Sequence, residues 1–306
     1  MPVEFTCTLP DADEVVSVPG SNGDLVHIET SDGAWRATLT LGASSVRLAG
    51  PERIFNEPTA SHPVRHSVWI RTLPEPFSGR LESAWLRNAL HANRRHLPDI
   101  FAMAMQYLRG APAIHDGGLQ IAGAATYGPL VDGARKERSD FNDYLGITWS
   151  YPEGRVDQPE QPEFRSLDCS GYVRIIWGYR QSLAGVGRSS IPLCYRSAPD
   201  QSELPRRAVQ MEASGPGLMV MENDGDQITD FSALLPGDLV FFDAETDDGP
   251  QIDHVGMYLG LDEGGRHRFI SSRKTHNGPT LGDTAGKSVL DGDGHYAEAF
   301  RSARRL

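Results

Sequence analysis

Over residues 1–75 the apolar positions come in short or alternating runs, at Val15-Val16 and at residues 25–28, 35–41, 46–48 and 68–70. Turn formers separate them: Pro19-Gly20, Asn22-Gly23, Asp32-Gly33, Leu41-Gly42 and Gly50-Pro51. A pattern broken this often predicts several short strands, closed as a small barrel or packed as a sandwich. From residue 80 the period lengthens. Ala84, Trp85, Leu86 and Leu90 fit one helix. Pro98 opens a second, with Ile100, Phe101, Met103, Ala104, Tyr107 and Leu108 on its apolar face and Gly110 as its stop. Residues 111–165 are rich in Gly, Pro, Asp and Glu and keep no sustained period, which inside a domain points to a functional or mobile stretch. A second such stretch, 188–230, has helix-like pieces near 204–211. Strand-like runs follow at 238–242, 254–259 and 267–270, and the tail 275–294 reads as glycine-rich loop.

Composition narrows the function. A formal net charge of −12 argues against a nucleic-acid partner and against docking on anionic lipid. No apolar run reaches the roughly 18 residues of a membrane-spanning helix, so membrane insertion is not expected. The start, MPVEFTCTLPDADEVV, has neither a basic n-region nor an apolar h-region. It predicts a cytoplasmic location, or export had a leader already been removed. Three cysteines (Cys7, Cys169 and Cys194) are too few for a disulfide framework, and their odd number leaves at least one thiol free. Neither a CxxC pair nor an HExxH helix occurs, so no metal site is expected, and no phosphate-loop or dinucleotide fingerprint calls for a cofactor.

Two places carry chemistry. Asp168-Cys169-Ser170-Gly171-Tyr172 is followed by Val173, Ile176, Trp177 and Arg180 at helical spacing, so Cys169 falls at a helix N-terminus. The dipole there favours a thiolate and lowers its pKa, and free first-turn N–H groups can receive an oxyanion. Further on, Leu235-Pro236-Gly237-Asp238 turns into the run Leu239–Phe242, and His254-Val255-Gly256-Met257-Tyr258-Leu259-Gly260 forms another strand. Period two puts His254, Gly256 and Tyr258 on one face, and Gly256 lets a neighbouring element approach closely. A cysteine in such a place is otherwise inert, and a lone strand histidine is usually structural. Together, thiol and imidazole make a nucleophile and its base.

These motifs resemble the NlpC family of papain-like endopeptidases, which cleave the stem peptides of bacterial peptidoglycan. Asp168-Cys169-Ser170-Gly171, the Pro236-Gly237-Asp238 turn and the His254 strand carry the resemblance; Leu204-Pro205-Arg206-Arg207 and the segment 107–112 add weaker matches, over about residues 98–273. The resemblance implies an α+β fold. A papain-like catalytic domain at 79–306, its nucleophile helix packed on an antiparallel sheet, follows a small all-β domain at 1–78. By the same analogy, that β domain is Src-homology-3-like. The resemblance also implies a cysteine endopeptidase acting on the γ-D-glutamyl–diamino acid bond of a peptidoglycan fragment or small peptide, with no cofactor. Cys169 and His254 are then catalytic, and Asp168 and Ser170 recognise the peptide's amino end or else cap the helix. The family's third polar residue, often His, falls on Ser271, with His267 on the same strand face. Insertions near 113–165 and 188–203 border the cleft, with Tyr127, Trp149 and Tyr151 as candidate substrate contacts. These departures leave a second reaction open, an amidase or acyltransferase on the same scaffold. A non-catalytic wall-binding module is a third reading, disfavoured because both reactive side chains are present.

Overall fold

The structure is a computed structural model and describes residues 13–18, 25–30, 33–183, 189–196, 201–245 and 249–306. Cys7 and the turns Pro19-Gly20 and Asn22-Gly23 lie outside them. Strands β1 (Asp13–Val18), β2 (Leu25–Thr30), β3 (Trp35–Thr40), β4 (Ser45–Phe55) and β5 (Val64–Thr72) pair in chain order as one antiparallel sheet. Alternation decides which face is apolar: in β2, Val26, Ile28 and Thr30 are buried while the residues between them are less so. Val26, Ile28, Ala37, Leu39, Val46, Leu48 and Trp69 pack against Leu86 and Ala89 of helix α1 (Ser83–Arg94). The described residues thus form one antiparallel sheet with a helix against its apolar face.

Helix α2 (Ile100–Met105) is capped by Asp99, whose carboxylate accepts from the Ala102 N–H at 2.9 Å. The same carboxylate receives Arg53 and the Ile70 N–H, so the cap also ties the helix to the sheet. The irregular stretch that follows is folded. It contains the hairpins β6 (Ile114–Asp116) with β7 (Leu119–Ala122), β8 (Leu130–Val131) with β9 (Ala134–Arg135), and β10 (Trp149–Ser150) with β11 (Val156–Asp157). Between the last two hairpins lies helix α3 (Phe141–Leu145), and Ile121, Phe141, Tyr144, Leu145 and Tyr151 bury their side chains in the main core.

The next helix starts as α4 (Cys169–Arg174), passes through a π turn (Ile175–Tyr179) and ends as α5 (Arg180–Ser182). After α6 (Ala208–Ser214) comes the second sheet: β12 (Leu218–Met221), β13 (Leu239–Phe242), β14 (His254–Leu261), β15 (His267–Arg273), β16 (Gly278–Thr280) and β17 (Phe300–Arg305), with α7 (His295–Ala299) before the last strand. Its order is β12-β17-β13-β14-β15-β16. Helix α4 lies against β14 and β15. Mixed helix and sheet behind an N-terminal all-β sheet agrees with the sequence reading at that level.

Candidate active site

Helix α4 starts where it does because Asp168 caps it: its Oδ1 accepts from the Gly171 N–H at 2.7 Å. Gly171 is required at this point, since an added Cβ would sit 2.3 Å from the Ser139 carbonyl oxygen. Ser170 Oγ donates to the same Asp168 oxygen at 3.0 Å. Arg206 then closes the group, donating to Ser170 Oγ at 2.7 Å and to Asp168 Oδ2 at 2.8 Å, while the Arg138 N–H also reaches Oδ2. Both Asp168 and Ser170 are buried, with every hydrogen bond named here made within the protein. The geometry is that of the capping alternative. Arg206, noted in the sequence only as part of a weak motif, is the residue that holds the helix head together.

Cys169, the first residue of α4, faces the start of β14. Its sulfur lies 3.9 Å from the Asp253 carbonyl oxygen, and the Val255 N–H also bears on it. The thiol thus sits against the backbone on either side of His254. A lowered thiol pKa was expected from the helix dipole. Burial pushes it well up instead, and the negative charges of Asp168 and Glu137 push the same way, with the Val255 N–H and Arg206 opposing.

The His254 ring stands over the sheet between Phe242 and Tyr296, ring centres 5.7 and 5.3 Å away. Burial pushes its pKa down to about 3, helped by the positive charges of Arg273, His295 and Lys274. Burial thus disfavours the charged form of both the thiol and the imidazole. Gly256 allows this arrangement: a Cβ there would meet the Phe269 ring at 2.8 Å and the Ile270 carbonyl at 2.9 Å, so β15 can lie close only beside glycine. Ser271 is on β15 at that approach, but its hydroxyl accepts from Arg273 Nε at 3.0 Å. His254 Nε2 is buried and has no hydrogen-bond partner among the described residues. The residue at the expected orienting position is thus committed to a buried arginine two residues along the same strand. His267 pairs with the Tyr258 hydroxyl at 2.7 Å.

A cavity of about 320 Å³ opens beside His254. Tyr127, Glu137, Glu245, Asp253, Lys274 and Tyr296 are among its walls. Tyr127 is one of the three aromatic residues expected from the insertion to contact substrate, and its hydroxyl donates to Glu137 at 3.2 Å. Trp149 is elsewhere, edge-on to Phe141 and Tyr179 in the core, and Tyr151 is bound to Arg174 through its hydroxyl. Cys194 is buried and receives no part of the site. Glu137, Glu245 and Lys274 were not found from the sequence. They come from three remote segments, and nothing local marks them.

Among the described residues, Asp143, Glu160 and Glu163 bring carboxylate oxygens within 4.8 Å of one another, the one grouping with metal-ligand potential. Asp143 is pushed up to about 8, by burial first and then by the side-chain contact with Glu160.

A thiol at a helix head set against an imidazole-bearing strand supplies the two groups that thiol-dependent acyl transfer needs. In comparison with known proteins, residues 155–286 match the NlpC/P60 family, the one the motifs resemble. The match takes in Cys169, Arg206, His254 and Ser271 and does not extend over residues 98–154, which the motif resemblance had included. That family suggests cell-wall peptidase or hydrolase activity. Neither the curated proteins nor the solved structures contain a match to this chain.

Proposed function

We propose that the protein is a cysteine endopeptidase that cleaves peptidoglycan stem peptides at the γ-D-glutamyl–diamino acid bond, on a papain-like catalytic domain. The observation that carries this is the thiol of Cys169 packed against the 253–255 backbone, with the His254 ring lining the adjoining cavity. His254 takes the thiol proton as sulfur attacks the scissile carbonyl. Burial raises the thiol's pKa and lowers the imidazole's, so the proton passes to His254 as sulfur attacks. The Cys169 N–H, at the head of α4, then receives the oxyanion, whereas the Gly171 N–H is used by the Asp168 cap. His254 then protonates the leaving amine, and water clears the thioester.

Cys169→Ala is expected to abolish cleavage of muropeptides while leaving the circular dichroism spectrum and melting temperature near those of the wild type; undiminished turnover would sink the reading. A second reading, an amidase or acyltransferase on this scaffold, is favoured by the partnerless Nε2 of His254 and the engagement of Ser271 with Arg273. Mass spectra of products from muropeptides and from acyl donors separate the two, since only the second yields an acylated acceptor amine or ammonia.

A further inference from the structure

Lys274, just after β15, meets two carboxylates that line the cavity with it. Its Nζ lies 2.6 Å from Glu137 Oε1 and also contacts Glu245. Tyr127 adds its hydroxyl to Glu137, and Asp253 holds the backbone that presents Glu245, accepting from the Glu245 and Ala244 N–H groups at 2.6 and 2.8 Å. Stability does not explain this convergence. The three side chains are 36%, 49% and 41% exposed, and ion pairs so open to water contribute little. The cation is also a lysine in a chain whose 29 basic residues include only three of them. A lysine ammonium is a compact, rotatable charge that exchanges partners readily, whereas arginine's planar fork favours fixed ones.

We propose that Glu137, Lys274 and Glu245 form a specificity subsite for a substrate carbon that bears both an ammonium and a carboxylate. Lys274 turns to the substrate carboxylate, and a glutamate thereby released accepts the ammonium. The inference rests on the function proposed above, which fixes its place in the reaction. His254 hands its proton to the leaving amine and lines the same cavity, so the group that docks there belongs to the leaving side. In the proposed substrate that side is a diamino acid, whose far centre carries this pair of charges when it is diaminopimelate and an ammonium alone when it is lysine. The subsite therefore distinguishes the two.

The test compares kcat/KM for peptides carrying γ-D-glutamyl-meso-diaminopimelate and γ-D-glutamyl-L-lysine. Wild type is expected to favour the first by about tenfold or more, the worth of one charge-assisted contact. Lys274→Met should bring the ratio near one, chiefly by raising KM for the diaminopimelate peptide, and Lys274→Arg should restore part of it. A wild-type ratio near one, or equal losses on both peptides in Lys274→Met, overturns the subsite. Calorimetric titration of free meso-diaminopimelate into Cys169→Ala separates this from the parent reading. Binding that Lys274→Met removes upholds the subsite even if neither peptide is cut, an outcome that would sink only the endopeptidase. Absence of binding sinks the subsite whatever the peptides do.

Discussion

At the scale of single residues, the site turns on an imidazole that burial keeps neutral. Its ordinary pKa is 6.5 and in the folded protein it is near 3. Between those values the unfolded chain binds a proton that the folded chain refuses, so the stability held above about pH 6.5 is lost as pH falls towards 3. Over the interval from pH 7 to pH 4 this amounts to about 3 kcal/mol. Urea denaturation of wild type and His254→Gln at both pH values checks it: the wild type should lose about that much more than the variant. An equal loss in both would mean that the ring is not held neutral. The reactive pair was legible in the sequence because Cys and His declare their chemistry by residue type, and their motifs fix them to a helix start and a strand. The charged rim was not legible. Glu137, Lys274 and Glu245 acquire meaning only when three segments far apart in the chain converge. The placement of Ser271 could be read from strand alternation, but not that Arg273, on the same face, would take its hydroxyl.

Elements were legible where one face is apolar and the other is not. The strands at 25–30 and 35–40, helix α1 and helix α2 all follow their periods, and β13, β14 and β15 start within a residue of their predicted positions. Strand β17 escaped because its sequence, FRSARR, reads as a solvated segment, yet it runs through the sheet between β12 and β13. Its arginines can be buried because each finds acceptors: Arg304 the carbonyls of Glu212 and Gly215, Arg305 the carboxylate of Asp238. The helix cover on the first sheet was missed for a different reason, since a strand pattern records that a face is apolar and not what will cover it. The pairing of β14 with β15 gives an element-scale prediction. Gly256→Ala would place a methyl 2.8 Å from the Phe269 ring and 3.2 Å from Ser271 Cβ, with the Ile270 backbone oxygen also in contact. Backbone cannot yield as a flexible side chain does, so the strands must part. Overpacking of this kind costs about 1–3 kcal/mol. Because His254 is two residues away, the variant is expected to lose activity more steeply than stability. Chemical denaturation set beside kcat/KM checks this, and a variant with wild-type turnover would show that the strand spacing does not govern the ring.

At the scale of the whole molecule, the first sheet and the second share one core. Phe55, Val64 and Ile70 of β4 and β5 join Phe101, Tyr172, Trp177 and Met257 in a single buried cluster. The polar counterpart of that junction is Asp238, the last residue of the Pro236-Gly237-Asp238 turn. Its carboxylate receives Arg47 of β4 at 2.5 Å and Arg305 of β17 at 2.8 Å, and it accepts the Leu235 N–H at 2.8 Å. Gly237, at φ +94°, brings this turn against Ile70, where a Cβ would lie 2.4 Å from its Cδ1. A turn recognised in the sequence as a family motif is therefore the joint between the two sheets, with one carboxylate serving a guanidinium from each side. Removing it by Asp238→Ala would strand two buried arginines, a loss of about 3–5 kcal/mol. Since the joint and the core belong to both sheets, the loss should lower one cooperative transition for the whole chain. Differential scanning calorimetry distinguishes this from independent domains: two resolved transitions, with only the second displaced by the substitution, would show that the sheets unfold separately and that the shared core does not couple them.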